Sequence, residues 1–303
     1  MATTTSISLS NRNRFLGFGL ATLAAIGFSG KAILVKLAYY QPVDAVTLLA
    51  LRMLFSAPFF LVVAWRHAGQ KHLTPLNGRD YLALLLLGLL GYYLSSLFDF
   101  IGLQYISAGL ERLILFLYPT MVVVLSAVLL GKAFGRKEIV ALLLSYAGIG
   151  VVFFDELNIQ SEHLLLGAGC VFASTLTYAA YLIGTGETVA RIGASRFTAY
   201  AMLVACAATL MQFLFTHPPQ ALLLPMRIYQ LSLVMAIFST VLPVFMLSAA
   251  IRMIGSSHTS LIGSLGPVAT LFMASFFLGE ELTVAQIGGA ALVMAGVLSL
   301  SLK

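Results

Sequence analysis

Long apolar runs separated by short polar breaks dominate this chain. They fall at about 15–38, 43–64, 81–104, 107–130, 137–154, 163–184, 194–215, 228–250, 257–279 and 283–302. A helix of about 20 apolar residues crosses a hydrocarbon core, so the pattern predicts an all-α membrane protein with ten transmembrane helices. The breaks carry turn-forming residues: Gln41-Pro42, Thr74-Pro75-Leu76-Asn77-Gly78, Gly131-Lys132 and His217-Pro218-Pro219. Residues 1–14 are polar, rich in Ser and Thr, and end in Arg12 and Arg14. The run from Phe15 to Ala38 is too long for a signal-peptide core and shows no convincing cleavage site, so it reads as the first permanent span.

The runs repeat. At a shift of 148 residues Leu113-Ile114 meets Leu261-Ile262, and Pro119 meets Pro267. Leu130-Gly131 then meets Leu278-Gly279, and Ala147-Gly148 meets Ala295-Gly296. The first helices match more weakly, Gly19 with Gly167 and Ala25 with Ala173. The chain thus divides into a tail (1–14), a first repeat (15–154) and a second repeat (163–302). Each repeat holds five spans, an odd number, so the second enters the membrane from the opposite side. Two inverted five-helix repeats are the signature of carriers whose site lies near the midplane between the halves.

Loop charge orients the bundle. With the N-terminus cytoplasmic, one side holds Arg12, Arg14, Arg66, Lys71, Arg79, Lys132, Arg136, Lys137, Arg191, Arg196, Arg252 and Lys303. The other holds Arg227 with the acids Asp44, Asp155, Glu156, Glu162, Glu280 and Glu281. The positive-inside rule then gives both termini cytoplasmic in a cell inner (plasma) membrane.

Composition agrees. Of 303 residues 60% are hydrophobic and 9% charged, against about 25% charged in soluble proteins. The net charge of +6 is spread over short loops rather than gathered on one face, which argues against a nucleic-acid partner. Cys170 and Cys206 lie inside apolar runs and read as small core residues. No spacing suggests a metal site, a cofactor loop or a catalytic nucleophile, so neither an enzyme nor a cofactor is expected.

Ionisable groups inside spans are costly and are functional candidates. Here they are Lys31, Lys36, Arg52, Asp99, Glu111, Arg112 and His258. The first six all belong to the first repeat, and their counterparts in the second carry no charge. Lys36 and Asp99 lie near helix ends, from where they could snorkel to the headgroups. Lys31 points away from a stripe of small residues, Gly17, Ala21, Ala25 and Ser29, suited to close helix packing. Glu111 and Arg112 are neighbours and diverge by about 100° on a helix, so they face different partners. Two readings follow: Lys31, Arg52 or Arg112 holds an anionic part of a substrate while Glu111 takes an amine or a proton, or the charges form an internal salt-bridge network. Tyr92, Tyr93, Tyr118, Tyr178 and Tyr181 are polar aromatics within spans. Pro119 and Pro267, at equivalent repeat positions, and Pro243 on the eighth helix predict kinks. His258 reads as an interfacial residue.

The segment Leu278-Gly279-Glu280-Glu281-Leu282-Thr283, continued by Gln286-Ile287-Gly288-Gly289-Ala290-Ala291-Leu292 and Ala295-Gly296-Val297, resembles the closing signature of EamA-type proteins of the drug/metabolite transporter superfamily. Pro119, Gly131 and Gly148 repeat it in the first half, where Lys132-Ala133 replaces the acidic pair Glu280-Glu281. The resemblance implies ten helices, both termini inside, a central cavity and transport of metabolites, often outward. The whole reading is an alternating-access carrier of an amino-acid-like or anionic solute, with proton coupling through Glu111 or Asp99. Its partners are the small-molecule substrate, protons and the lipid bilayer. The pathway residues are Lys31, Arg52, Asp99, Glu111, Arg112, Tyr118 and Tyr178. A passive channel or facilitator and a membrane-integral lipid-handling protein are the rival classes.

Overall fold

The computed structural model describes residues 11–68, 70, 74–131, 135–159 and 163–301. Most of the expected tail, together with Lys71, Lys132, Glu162 and Lys303, lies outside the described residues. Among those described, every regular element is helical. Eight helices are long and apolar enough to cross a membrane, and two shorter apolar helices, Leu265–Leu278 and Val284–Ser299, bring the count to ten.

The helices are α1 (Asn11–Tyr39), α2 (Ala45–Ala68), α3 (Gly78–Gly102), α4 (Ala108–Leu129) and α5 (Arg136–Ile159), then α6 (Leu164–Ile192), α7 (Ala194–Thr216), α8 (Met226–Gly255), α9 (256–278) and α10 (Val284–Ser301). Their flanks expose Leu143 and Phe276 and many other large apolar side chains. Such patches would be a liability in water but are solvated by acyl chains.

Local chemistry sets the helix ends. Asn77 and Asp80 cap one another at the start of α3, with Asp80 N donating to Asn77 Oδ1 at 3.0 Å and Asn77 N donating to Asp80 Oδ2 at 2.7 Å. Asp44 accepts from Val46 N and Thr47 N, both at 2.9 Å, to begin α2. Ser107 opens α4 by accepting from Leu110 N at 3.0 Å. Gly131 and Gly279 end α4 and α9 with φ of 66° and 70°, a left-handed conformation that glycine adopts without a side-chain clash.

The two halves interlock. Each repeat's first helix packs into the other repeat's third and fourth: α1 against α8 and α9, α6 against α3 and α4. The second helices pair as α2 with α7, and the fifth as α5 with α10. In the last pair the backbones nearly touch. A Cβ on Gly148 would stand 2.6 Å from the Gly289 carbonyl oxygen, and one on Gly289 would stand 2.6 Å from that of Gly148. Without a hydrophobic drive between helices in lipid, such close approach maximises dispersion contacts.

The shift of 148 residues holds in backbone geometry as well. α4 is interrupted at Phe116-Leu117 and α9 at Ser264, each three residues before the proline of its half. The kinks expected from Pro119 and Pro267 are therefore breaks, with each proline in the first turn of the segment that follows. α3 and α8 each contain a π-helical segment, Leu89–Leu94 and Ile237–Val241, beginning at equivalent positions. Pro243 is the second residue of the α-helix that resumes after the second of these.

Candidate functional site

Three of the seven ionisable residues predicted inside spans, Lys31, Asp99 and Glu111, meet where α1, α3 and α4 converge. Lys31 Nζ donates to Asp99 Oδ2 at 2.6 Å and forms an ion pair with Glu111 Oε1 at 3.0 Å. Asp99 and Glu111 are 2% and 0% exposed, so these charges are out of reach of bulk solvent. Asp99 does not snorkel to the headgroups as its place in the chain suggested; the ammonium beside it holds it inside. Lys36 does not snorkel either. Its ammonium donates to the carbonyls of Leu103 at 3.3 Å and Ile106 at 2.9 Å, where α3 has ended and backbone acceptors lack helical partners.

Arg52 sits apart on α2. Its guanidinium lies 5.4 Å from the centre of the Phe100 ring, and its Nε donates to Thr240 Oγ1 at 2.9 Å. Thr240 belongs to the π segment of α8, so this bond links the halves.

Adjacency on the helix divides Glu111 from Arg112 as expected. Glu111 turns to Lys31, while Arg112 lies over Gly266 on α9, where a Cβ would stand 2.7 Å from Nη2. Gly266 thus leaves room for the guanidinium at the interruption of α9. Alongside runs a ladder of rings: Phe116 on Tyr118, Tyr118 edge-on to Tyr178 at 5.6 Å, Tyr178 stacked on Tyr181 at 5.5 Å, and Tyr181 against Phe197. Tyr181 also shares a hydrogen bond of 2.9 Å with Tyr92 in the π segment of α3. One wall of this central region is ionic and belongs to the first half. The other is aromatic and comes from both halves, with Phe116 and Tyr118 on α4, Tyr178 and Tyr181 on α6 and Phe197 on α7.

Several polar atoms here are buried without a hydrogen-bond partner: Asp99 Oδ1, Glu111 Oε2, Arg112 Nε and Arg52 Nη1. Such atoms cost free energy unless something meets them.

Hydroxyls stitch the interrupted helices to the opposite half. Ser29 on α1 donates to the Gly266 carbonyl at 2.9 Å, and Thr175 on α6 donates to the Ile114 carbonyl at 3.2 Å. Broken helices in lipid need such donors.

The two ends of the bundle differ. At the acid end, Glu280 accepts from Ala108 N at 3.0 Å and Gly109 N at 3.4 Å, and Thr283 donates to Asp155 at 2.7 Å. Ser107 donates to Glu156 there, and His217 Nε2 lies 3.2 Å from Asp44. At the basic end Arg191 pairs with Asp80, and Arg196 donates to the Thr74 carbonyl at 2.6 Å. A cleft of about 300 Å³ opens there beside Phe18, Arg252 and His258, with the exposed His258 edge-on to Phe18. A lateral groove of about 470 Å³ along α1, α8 and α9 is lined by apolar residues such as Leu23, Ile33, Phe238 and Met273. None of the predicted pathway residues lines either space.

Sequence reasoning missed Thr240, Gly266, Ser107 and Glu280 as partners of this region. Glu280 had a signal, its place in a terminal signature, but read as a loop acid. Thr240 had none.

A ten-helix bundle with inverted halves and buried, partly unmatched charges between them defines a multi-pass membrane transporter. The comparisons agree: the chain matches the EamA-like transporter family over residues 15–154 and 165–302, and it belongs to that family, part of the drug/metabolite transporter superfamily. Among its relatives is the uncharacterized transporter YcbK of Bacillus subtilis (strain 168), 29% identical over 91% of this chain and 90% of its own. Another is the uncharacterized transporter YyaM of the same organism, 27% identical over 94% of this chain and 92% of its own. A solved structure titled only as the crystal structure of a protein shares the fold, with a TM-score of 0.63 and 15% identity over 94% of this chain and 96% of that one.

Proposed function

We propose that this transporter is an inner-membrane carrier of amino-acid-like or anionic metabolites, working by alternating access with both termini cytoplasmic. The observation that carries the reading is the set of unmatched polar atoms between the halves. Asp99 Oδ1 and Glu111 Oε2 are free acceptors, and Arg112 Nε and Arg52 Nη1 are free donors. A solute bearing both an ammonium and a carboxylate satisfies both kinds, its amine toward Glu111 and Asp99 and its acid toward Arg112. The tyrosine ladder from Tyr118 to Tyr181 supplies an amphipathic wall for the rest of the molecule.

Charge supports proton coupling. Lys31 is shared between the buried carboxylates of Asp99 and Glu111, and either a proton or a substrate ammonium can meet their remaining oxygens. Because both cations compete for the same oxygens, each entering cation favours release of the other, which is the logic of exchange. Outward transport is the direction the family resemblance suggests, and the excess of Lys and Arg on one side supports cytoplasmic termini.

The test is uptake into proteoliposomes of labelled amino acids and organic acids, with and without an imposed pH gradient. Saturable uptake with counterflow, accelerated by the gradient, is the expected result. Flux without saturation or counterflow would replace the carrier with a channel, and an unchanged pH dependence in Glu111→Gln would remove Glu111 from the coupling.

A further inference from the structure

The first segment of α4, Ala108–Leu115, is eight residues long and interrupted on both sides, by the Leu103–Ser107 turn before it and by Phe116-Leu117 after it. Its charged residues are Glu111 and Arg112. This short rod therefore carries two of the central charges and can shift without bending the rest of α4.

Its N-terminus is held from the other half of the molecule. The Glu280 carboxylate reaches from the α9–α10 loop and accepts from Ala108 N with one oxygen and from Gly109 N with the other. A carboxylate on the unpaired amides of a helix N-terminus combines charge-assisted hydrogen bonds with the helix dipole. Gly109 lets α9 and α10 come close, since a Cβ there would stand 2.9 Å from Leu271 Cδ2 and 3.5 Å from Gln286 Nε2. Thr283, three residues beyond Glu280, makes a second link between the halves through Asp155. The Ala108–Leu115 segment packs on α9 as well as on α1, α5, α6 and α10, whereas the Tyr118–Leu130 segment packs on α5 and α6.

We infer that Glu280 is the latch that holds the acid-end gate shut, by clamping the N-terminus of the α4 segment that bears Glu111 and Arg112. Opening toward that side requires the carboxylate to leave the two amides. The repeat equivalent of Glu280 is Lys132, and a cation cannot accept from helix amides. The opposite gate has no equivalent carboxylate in sequence, so the two gates are held by different chemistry and the resting equilibrium favours the acid end closed. The inference rests on the alternating-access reading and adds to it the residue that sets the balance between states.

Paired spin labels test it on the full chain in nanodiscs. Gln104 and Val284 are exposed and flank the latch. With Cys170 and Cys206 replaced by Ser, labels at Gln104→Cys and Val284→Cys report the gate's width with no substrate present. Glu280→Gln should raise the wide-to-narrow ratio about tenfold, the loss expected when charged hydrogen bonds become neutral ones. Glu281→Gln, at the exposed neighbouring acid, should leave the distribution unchanged. Should Glu280→Gln fail to fold, Glu280→Asp, which keeps the charge but shortens the reach, is read the same way and should widen the gate less. A folded Glu280 variant with the wild-type distribution, or a Glu281→Gln change of equal size, overturns the inference. Absence of any solute flux in proteoliposomes would instead strike the transport reading and leave the distance result standing.

Discussion

Lys31 and Asp99 are 68 residues apart in the chain and 2.6 Å apart in space. Their contact joins α1 to α3, and Glu111 brings α4 to the same ammonium. Removing one partner of a buried ion pair strands the other, at a cost of about 3–5 kcal/mol. Lys31→Met strands two carboxylates and should lower the unfolding midpoint in detergent strongly. Lys31→Met with Asp99→Asn should recover much of that loss, because fewer uncompensated charges remain. A double variant no more stable than the single would show that the lysine acts through its packing.

Thr240 meets the Arg52 guanidinium across the halves. Thr240→Val keeps the shape and removes the acceptor, so it should cost about 1.5–3 kcal/mol, the range for hydrogen bonds to charged groups. Thr240→Ser should retain most of it. Thermal unfolding of the three proteins side by side checks the ranking.

Gly266 makes room for Arg112. Gly266→Ala places a methyl 2.7 Å from Nη2 and pushes the guanidinium aside. If Arg112 receives the substrate's acid group, KM should rise several-fold while the melting temperature moves little. Gly263→Ala, where a Cβ meets nothing within 4 Å, is the matched control. An unchanged KM in Gly266→Ala would take Arg112 out of the site.

The α5–α10 seam is steric. Gly289→Val must drive a side chain into the Gly148 carbonyl, and overpacking of this kind costs about 1–3 kcal/mol. Gly288→Val, with open space around its Cβ, should be close to neutral in the same melting experiment.

Asp44 lies outside the spans and gives a pH signature. Burial works to raise its carboxyl, but the Thr47 hydroxyl and amide, His217 and the Val46 amide outweigh it and hold the group below the usual range. A depressed carboxyl stabilises the fold above its unfolded value, about 3.9, and that stability is lost as pH falls through the folded value. The difference in melting temperature between wild type and Asp44→Asn should therefore be full near neutrality and shrink as pH drops below about 4. A gap constant down to acid pH would mean that the charge contributes nothing.

The ten helices were legible because lipid demands apolar length, and the repeat was legible because glycine and proline leave marks. Gly131 with Gly279 and Pro119 with Pro267 sit where backbone geometry permits few alternatives. The gathering of Lys31, Asp99 and Glu111 was legible only as a list of costly residues; which of them meet depends on packing. Lys36 shows the limit. A lysine near a helix end can reach headgroups or carbonyls, and the turn at Leu103–Ile106 decides it. The π segments left no trace, because a helix that is apolar on every side keeps its hydrophobic pattern when its register slips.

That slip has a consequence in each half. A π turn adds one residue to a helix and rotates everything beyond it by about 100°. In α3 the extra residue comes before Asp99, and without it the carboxylate would face away from Lys31. The same insertion begins at the equivalent place in α8, 148 residues on, where it carries Thr240, the acceptor for the Arg52 guanidinium. One backbone irregularity, repeated at equivalent positions, thus sets the facing of Asp99 toward Lys31 in the first half and of Thr240 toward Arg52 in the second.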